Sequence, residues 1–169
     1  NPISSKMKLA INAEPVHSYD PDKAKSLLKK AGMENLKVDL SASDAAFAGG
    51  VDAALLMAEH AKAAGIEINV VREANDRYWD NVGLKKPWSL CYWGGRPVAD
   101  MFLSISLAAD AAWNDTNWKN ARFNELLLAA RPETDEAKRQ ALYAEAQQLI
   151  HDDGGQVVLQ PANARLRPM

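Results

Sequence analysis

Apolar positions along this chain switch between two periods, and the switches mark its elements. Residues 1–19 show no clear period and hold Pro2 and Pro15, which reads as an irregular lead-in. Asp20-Pro21-Asp22 then predicts a helix start, with Asp20 as cap, Pro21 in the first turn and Asp22 near the positive helix end. Ala24, Leu27, Leu28 and Ala31 form its apolar stripe, and Gly32 stops it. Leu36, Val38 and Leu40 alternate with Lys37, Asp39 and Ser41, the period of a strand with one buried face. A long helix is predicted from about Val51 to Ala64, ended by Gly65, and a second strand over Ile66–Val71. Asn75 or Asp76 caps a short helix carrying Tyr78, Trp79 and Val82.

The run Trp88 to Trp93 is apolar and aromatic, bounded by Pro87 and by Gly94-Gly95, and predicts a third, buried strand. Its alternation puts Leu90 and Tyr92 on one face, Cys91 and Trp93 on the other. A short helix follows Asp100 to about Leu107, then a loop over 108–118. Phe123, Leu126, Leu127 and Ala130 stripe a further helix stopped by Pro132. Thr134 caps the next, striped by Leu142, Ala146, Leu149 and Ile150 and closed by Gly154-Gly155; Val157–Leu159 reads as a last short strand before Pro161. Strands separated by helices imply parallel pairing, so the predicted fold is α/β, with a central, mostly parallel sheet flanked by helices.

The stretch Pro87 to Phe102 is where chemistry concentrates. In an open α/β sheet, ligands bind beyond the carboxyl ends of the strands. Here a predicted strand ends in aromatic, glycine and charged residues together: Trp93, Gly94, Gly95, Arg96 and Asp100. The alternative is a strand-to-helix turn whose glycines serve only the backbone. Trp93 and Trp113 are open to either core packing or pocket lining. Asp100 is open to either a ligand contact or a helix cap.

Composition narrows the function classes. A chain of 169 residues buries about 70% of its unfolded surface and makes one domain the first expectation. Net charge is −2 and basic residues do not cluster, which argues against a nucleic-acid partner. No apolar run approaches the ~20 residues of a membrane-spanning helix. The lone Cys91, inside the predicted strand, is expected to be a buried small hydrophobe. His17, His60 and His151 lie far apart, so no metal site is expected. Phosphate-binding glycine motifs and a nucleophile elbow are missing, so no cofactor and no catalysis are expected. Ala48-Gly49-Gly50 reads as a flexible helix start rather than an anion seat, and Asp152-Asp153 as a solvated turn.

The run Tyr19-Asp20-Pro21-Asp22-Lys23-Ala24-Lys25-Ser26-Leu27-Leu28-Lys29-Lys30-Ala31-Gly32 closely resembles a signature of the dipeptide/oligopeptide-binding proteins of ABC importers, bacterial solute-binding protein family 5. Trp93-Gly94, then Asp100-x-Phe102-Leu103-Ser104, Asn114, Phe123-Asn124-Glu125-Leu126-Leu127 and Arg139-x-x-x-Tyr143-x-x-x-Gln147 resemble the same family. The likeness runs from Tyr19 to Pro161. It implies lobe II of a periplasmic-binding-protein-like fold, with residues 20–161 as most of the C-terminal lobe of a longer, two-lobed protein. Residues 162–169 would be a hinge-ward tail, and the two loosely patterned ends fit a fragment.

The resemblance implies capture of peptides or similar solutes in the periplasm or outside the cell, docking on the membrane permease subunits of an ABC importer, and no reaction. The ligand would be held with an N-terminal lobe of the same chain. Trp93, Gly94, Gly95, Arg96, Asp100, Trp113 and Asn114 are the candidate contacts. Peptide binders of the family place an acidic residue soon after the Trp-Gly pair; here the loop reads Gly94-Gly95-Arg96-Pro97. Asp100 lines up with a second, helix-leading acidic position. The guanidinium of Arg96 suits a carboxylate, so the expectation is a ligand that presents an anionic group. A small α/β enzyme domain, or a sensor domain reusing the lobe, are the alternatives.

Overall fold

The computed structural model describes Ile3, Leu9–Ile11, Ala13 and residues 18–159. The predicted lead-in and the stretch from Gln160 onward therefore lie largely outside the described residues. The chain groups into two compact units, one holding residues 18–92 and the other the described residues before Val16 together with 93–159.

In the first unit, helix α1 spans Pro21–Lys30, and Asp20 caps it by accepting the backbone N–H of Lys23 at 2.9 Å. Its stripe is only partly covered: no α1 residue is fully buried, and Leu27 is exposed. Strand β1, Lys37–Ala42, and strand β2, Glu67–Arg72, pair in parallel from Lys37↔Glu67 to Ala42↔Arg72. Parallel strands need a crossover, and helix α2, Gly50–Lys62, supplies it. Gly50, Ala54 and Ala58 are its buried positions, a stripe of small residues that brings α2 close to the sheet. Gly65 follows it in the left-handed region (φ 79), as the stop signal requires. The core here is Leu40, Ala42, Ala46, Ala54, Tyr78, Val82 and Leu90.

The third strand does not form. Ser89 makes a single parallel bridge to Ser41, with Ser41 N–H donating to Trp88 O at 3.1 Å and Leu90 N–H to Ser41 O at 3.0 Å. The ladder stops there for two reasons. Beyond Ala42, β1 turns into a loop in which Ser43 O accepts from Ala46 N–H. The next acceptor on the other side, Leu90 O, is taken by the Tyr78 hydroxyl. With no ladder to hold it, the chain leaves the core, and Cys91 and Tyr92 are exposed. The expected buried cysteine and the Leu90/Tyr92 face are thus both overturned. The short helix α3, Tyr78–Asn81, starts at Arg77 in a left-handed conformation (φ 61), not at a cap from Asn75 or Asp76. Asn75 instead accepts the hydroxyl of the buried Ser43 at 2.6 Å.

The second unit is helical among its described residues: α4, Ala99–Ser106; α5, Ala121–Ala130; and α6, Glu136–Asp153. The stripe Phe123, Leu126, Leu127 and Ala130 is fully buried, as its spacing predicts, and packs with Phe102, Leu103, Leu107, Tyr143, Ala146 and Ile150. Asp135, not Thr134, caps α6, accepting from Ala137 and Lys138 N–H. A carboxylate one residue on reaches the same orphan donors and favours the positive helix end. Val157–Leu159 is irregular and exposed rather than a strand, since no ladder partner lies beside it among the described residues.

Candidate ligand-binding loop

All seven candidate residues fall in the second unit, six on the two loops that flank α4 and Asp100 in the first turn of α4. The first loop, 93–98, carries the chain into α4. Trp93 is half-buried: its ring meets Phe102 edge-on at 5.7 Å, and its indole N–H donates to Asp115 Oδ2 at 3.3 Å. Core packing and polar anchoring both fix it. Gly94 and Gly95 are exposed. Arg96 is half-buried and folds back on its own loop, Nη1 donating to Gly94 O at 3.3 Å. Among the described residues it has no carboxylate partner.

Asp100 does not cap α4. Val98 occupies the cap position without a side-chain bond, and Asp100 sits in the first turn. Its two oxygens each lie 3.2 Å from Arg131 Nε, while Arg131 Nη2 donates to Ser104 Oγ at 2.5 Å. The Tyr143 phenol, 5% exposed, lies against the same carboxylate. Burial first, then the charge of Asp100 and its hydrogen bond, push that phenol up to about 12. Val98, Ala99, Asp100, Arg131, Arg139 and Tyr143 line a shallow concavity of about 310 Å³. A second depression, of about 410 Å³, is lined by residues 32–37 of the first unit.

The second loop, 108–118, is tied by Asn114. Its amide donates to Ala108 O at 3.2 Å and to Trp118 O at 2.6 Å, and its Oδ1 accepts from Thr116 Oγ1 at 2.9 Å. Those bonds use the donors and one acceptor site of the side chain, so Asn114 shapes the loop. Trp113 is 58% exposed. Trp118 donates its indole N–H to Asp153 at 2.9 Å, so the Asp152-Asp153 pair is partly spent on structure.

Arg131, Tyr143 and Asp115 engage the candidate residues but are not among the contacts expected from the sequence. Asp115 is visible there only as the neighbour of Asn114 in the 108–118 loop, and Tyr143 only as the residue four after Arg139 on one helix face. The α2 start offers no anion seat, because Asp44 Oδ1 already accepts from Val51 N–H at 3.3 Å. No group of three or more potential metal ligands occurs among the described residues, and no described helix is long and apolar enough to cross a membrane.

The family model for bacterial extracellular solute-binding proteins, family 5 Middle, matches residues 1–149. The chain belongs to this family. Di/tripeptide-binding protein 4 of Pseudomonas aeruginosa is 33% identical over 143 residues, 79% of this chain and 27% of that protein. The chain thus spans about a quarter of the length of the curated relatives it matches. Among solved structures, the periplasmic binding protein DppA of Helicobacter pylori, in complex with the peptide STSA, superposes with a TM-score of 0.80 at 24% identity, covering 92% of this chain and 31% of that one. The dipeptide-binding protein of Pseudoalteromonas sp. SM9913, in complex with Met-Leu, gives 0.73 at 25% identity, covering 84% and 30%. The fold is therefore that of periplasmic binding proteins, α/β with a parallel sheet and helices.

Proposed function

We propose that this chain is part of the solute-capturing lobe of an ABC importer binding protein, and that its solute is a peptide or a peptide-like molecule. The observation that carries this reading is the 33% identity to a di/tripeptide-binding protein across most of the chain. Residues 20–161 act in it as one lobe, closing on ligand against a second lobe by a hinge. The loaded protein docks on permease subunits outside the cytoplasmic membrane and catalyses nothing.

The exposed glycines of the 93–98 loop let a ligand reach the backbone, and Trp93 and Trp113 supply apolar walls. Asn114 and Asp100 hold those loops in shape. The test uses the polypeptide encoded by the full reading frame, purified and titrated calorimetrically with a panel of di- and tripeptides, with mass spectrometry of any copurifying solute. Saturable binding that weakens on Trp93→Ala is expected. A protein that binds no member of the panel and copurifies with no peptide sinks the reading.

A further inference from the structure

The charged groups around the 93–98 loop divide into spent and unspent ones. Asp100 accepts from Arg131 through both oxygens and lies against the Tyr143 phenol. Asp115 accepts the Trp93 indole. Arg131 is used on Asp100 and Ser104, and Arg139 Nη1 donates to Glu133 O at 3.3 Å. Among the described residues Arg96 and Arg139 each have only a 3.3 Å bond to a backbone carbonyl, Gly94 O and Glu133 O, and of the two Arg96 is the one on the glycine loop itself.

From this division we infer that Arg96 is the charge-reading group of the site and takes a carboxylate of the solute, while Asp100 is a positioning residue that holds the start of α4 and does not touch ligand. The inference rests on the binding-lobe reading above. A half-buried guanidinium has lost part of its hydration, and a carboxylate matches its planar fork through two parallel bonds. The guanidinium packs over its own loop: a Cβ at position 94 would stand in ordinary contact with Arg96 Nη1, at 3.4 Å. An ammonium brought to this loop would meet a cation, and the Asp100 carboxylate is already held by Arg131 through both oxygens. The solute therefore presents its acid end, not its amino end, to this lobe.

The experiment is calorimetry on the full reading-frame protein with three probes: alanyl-alanine, alanyl-alanine amide and succinate. The acid dipeptide is expected to bind about tenfold to hundredfold more tightly than its amide, the span of one charge-assisted bond. Arg96→Ala and Arg96→Gln are expected to erase that ratio, and Arg96→Lys to keep part of it. Circular dichroism of each variant reports the fold. Equal affinity for acid and amide overturns the inference and leaves the peptide reading standing. Succinate binding that Arg96→Ala abolishes, with neither dipeptide bound, supports the inference and sinks the peptide reading. If none of the three probes binds, or if Arg96→Ala leaves the acid-to-amide ratio unchanged, the inference is wrong.

Discussion

The Tyr78 hydroxyl donates to the carbonyl of Leu90 at 2.6 Å and lies 3.3 Å from that of Ser41. Tyr78 is 1% exposed and Leu90 8%, so this bond sits inside the core of the first unit. It takes the acceptor that a longer third strand would have used. Tyr78→Phe keeps the ring packing and leaves Leu90 O without this donor. The expected loss is about 1–3 kcal/mol, read as a lower denaturant midpoint at constant slope. An unchanged midpoint would mean that water replaces the phenol at no cost.

Gly50 opens α2 where the helix meets the end of β1. A Cβ at this position would stand 2.7 Å from the backbone oxygen of Ser43 and 3.4 Å from Leu90 Cδ1. Backbone cannot rotate away as a side-chain tip can. Gly50→Ala is therefore expected to destabilise by about 1–3 kcal/mol despite the better helix propensity of alanine. Thermal melts check it. A stabilised variant would show that the Ser43 turn moves freely.

These two sites also show what could be read from the sequence. The cap of α1 and the stripe of α5 are local patterns, and Asp20-Pro21 and Phe123/Leu126/Leu127 decide them within a single turn or two. The parallel pairing of β1 and β2 follows from the helix between them. The third strand fails because its fate depends on Tyr78, ten residues before the Trp88 run, which competes for Leu90 O. The exposure of Cys91 has the same cause: apolar neighbours imply burial only while the ladder continues. At the site, the loop after Trp93 was legible from its glycines. The partner of Asp100 is not, because Arg131 lies 31 residues away, just past the end of α5.

Asp100 and Arg131 are partly exposed, with side chains 25% and 45% accessible, so solvent screens their attraction. A double-mutant cycle of Asp100→Asn and Arg131→Gln is expected to give a coupling of only a few tenths to about 1 kcal/mol, shrinking as salt is added. Urea titrations at low and high salt measure it. Coupling above that range, insensitive to salt, would mean that the pair is far better shielded than its accessibility implies.

Cys91 lies on the exposed segment that follows the Ser41–Ser89 bridge. A thiol reagent is expected to modify it in the folded protein, with one equivalent incorporated and no loss of helical circular dichroism. It is the chain's one cysteine, so the stoichiometry is unambiguous. Modification only after denaturant is added would restore the buried-strand reading of residues 88–93.

Two of the chain's four tyrosines couple its stability to alkaline pH. Burial, followed by the thiol of Cys91 and the carboxylate of Glu73, pushes the Tyr78 phenol up to about 12; burial and then Asp100 do the same for Tyr143. Unfolding returns each to the ordinary value near 10. Below pH 10 both states hold both protons and stability does not depend on these groups. Between about 10 and 12 the unfolded chain releases protons that the folded one keeps, so stability falls as pH rises, by about 1.4 kcal/mol per pH unit for each phenol. Above the folded value the decline from these groups levels off. Denaturant midpoints across that range should fall less steeply for Tyr78→Phe than for the parent chain. Tyrosinate absorbance should show Asp100→Ala lowering the Tyr143 transition without bringing it back to the ordinary value, because burial, the larger cause, remains. Full return to that value would assign the whole shift to the carboxylate and leave burial no part in it.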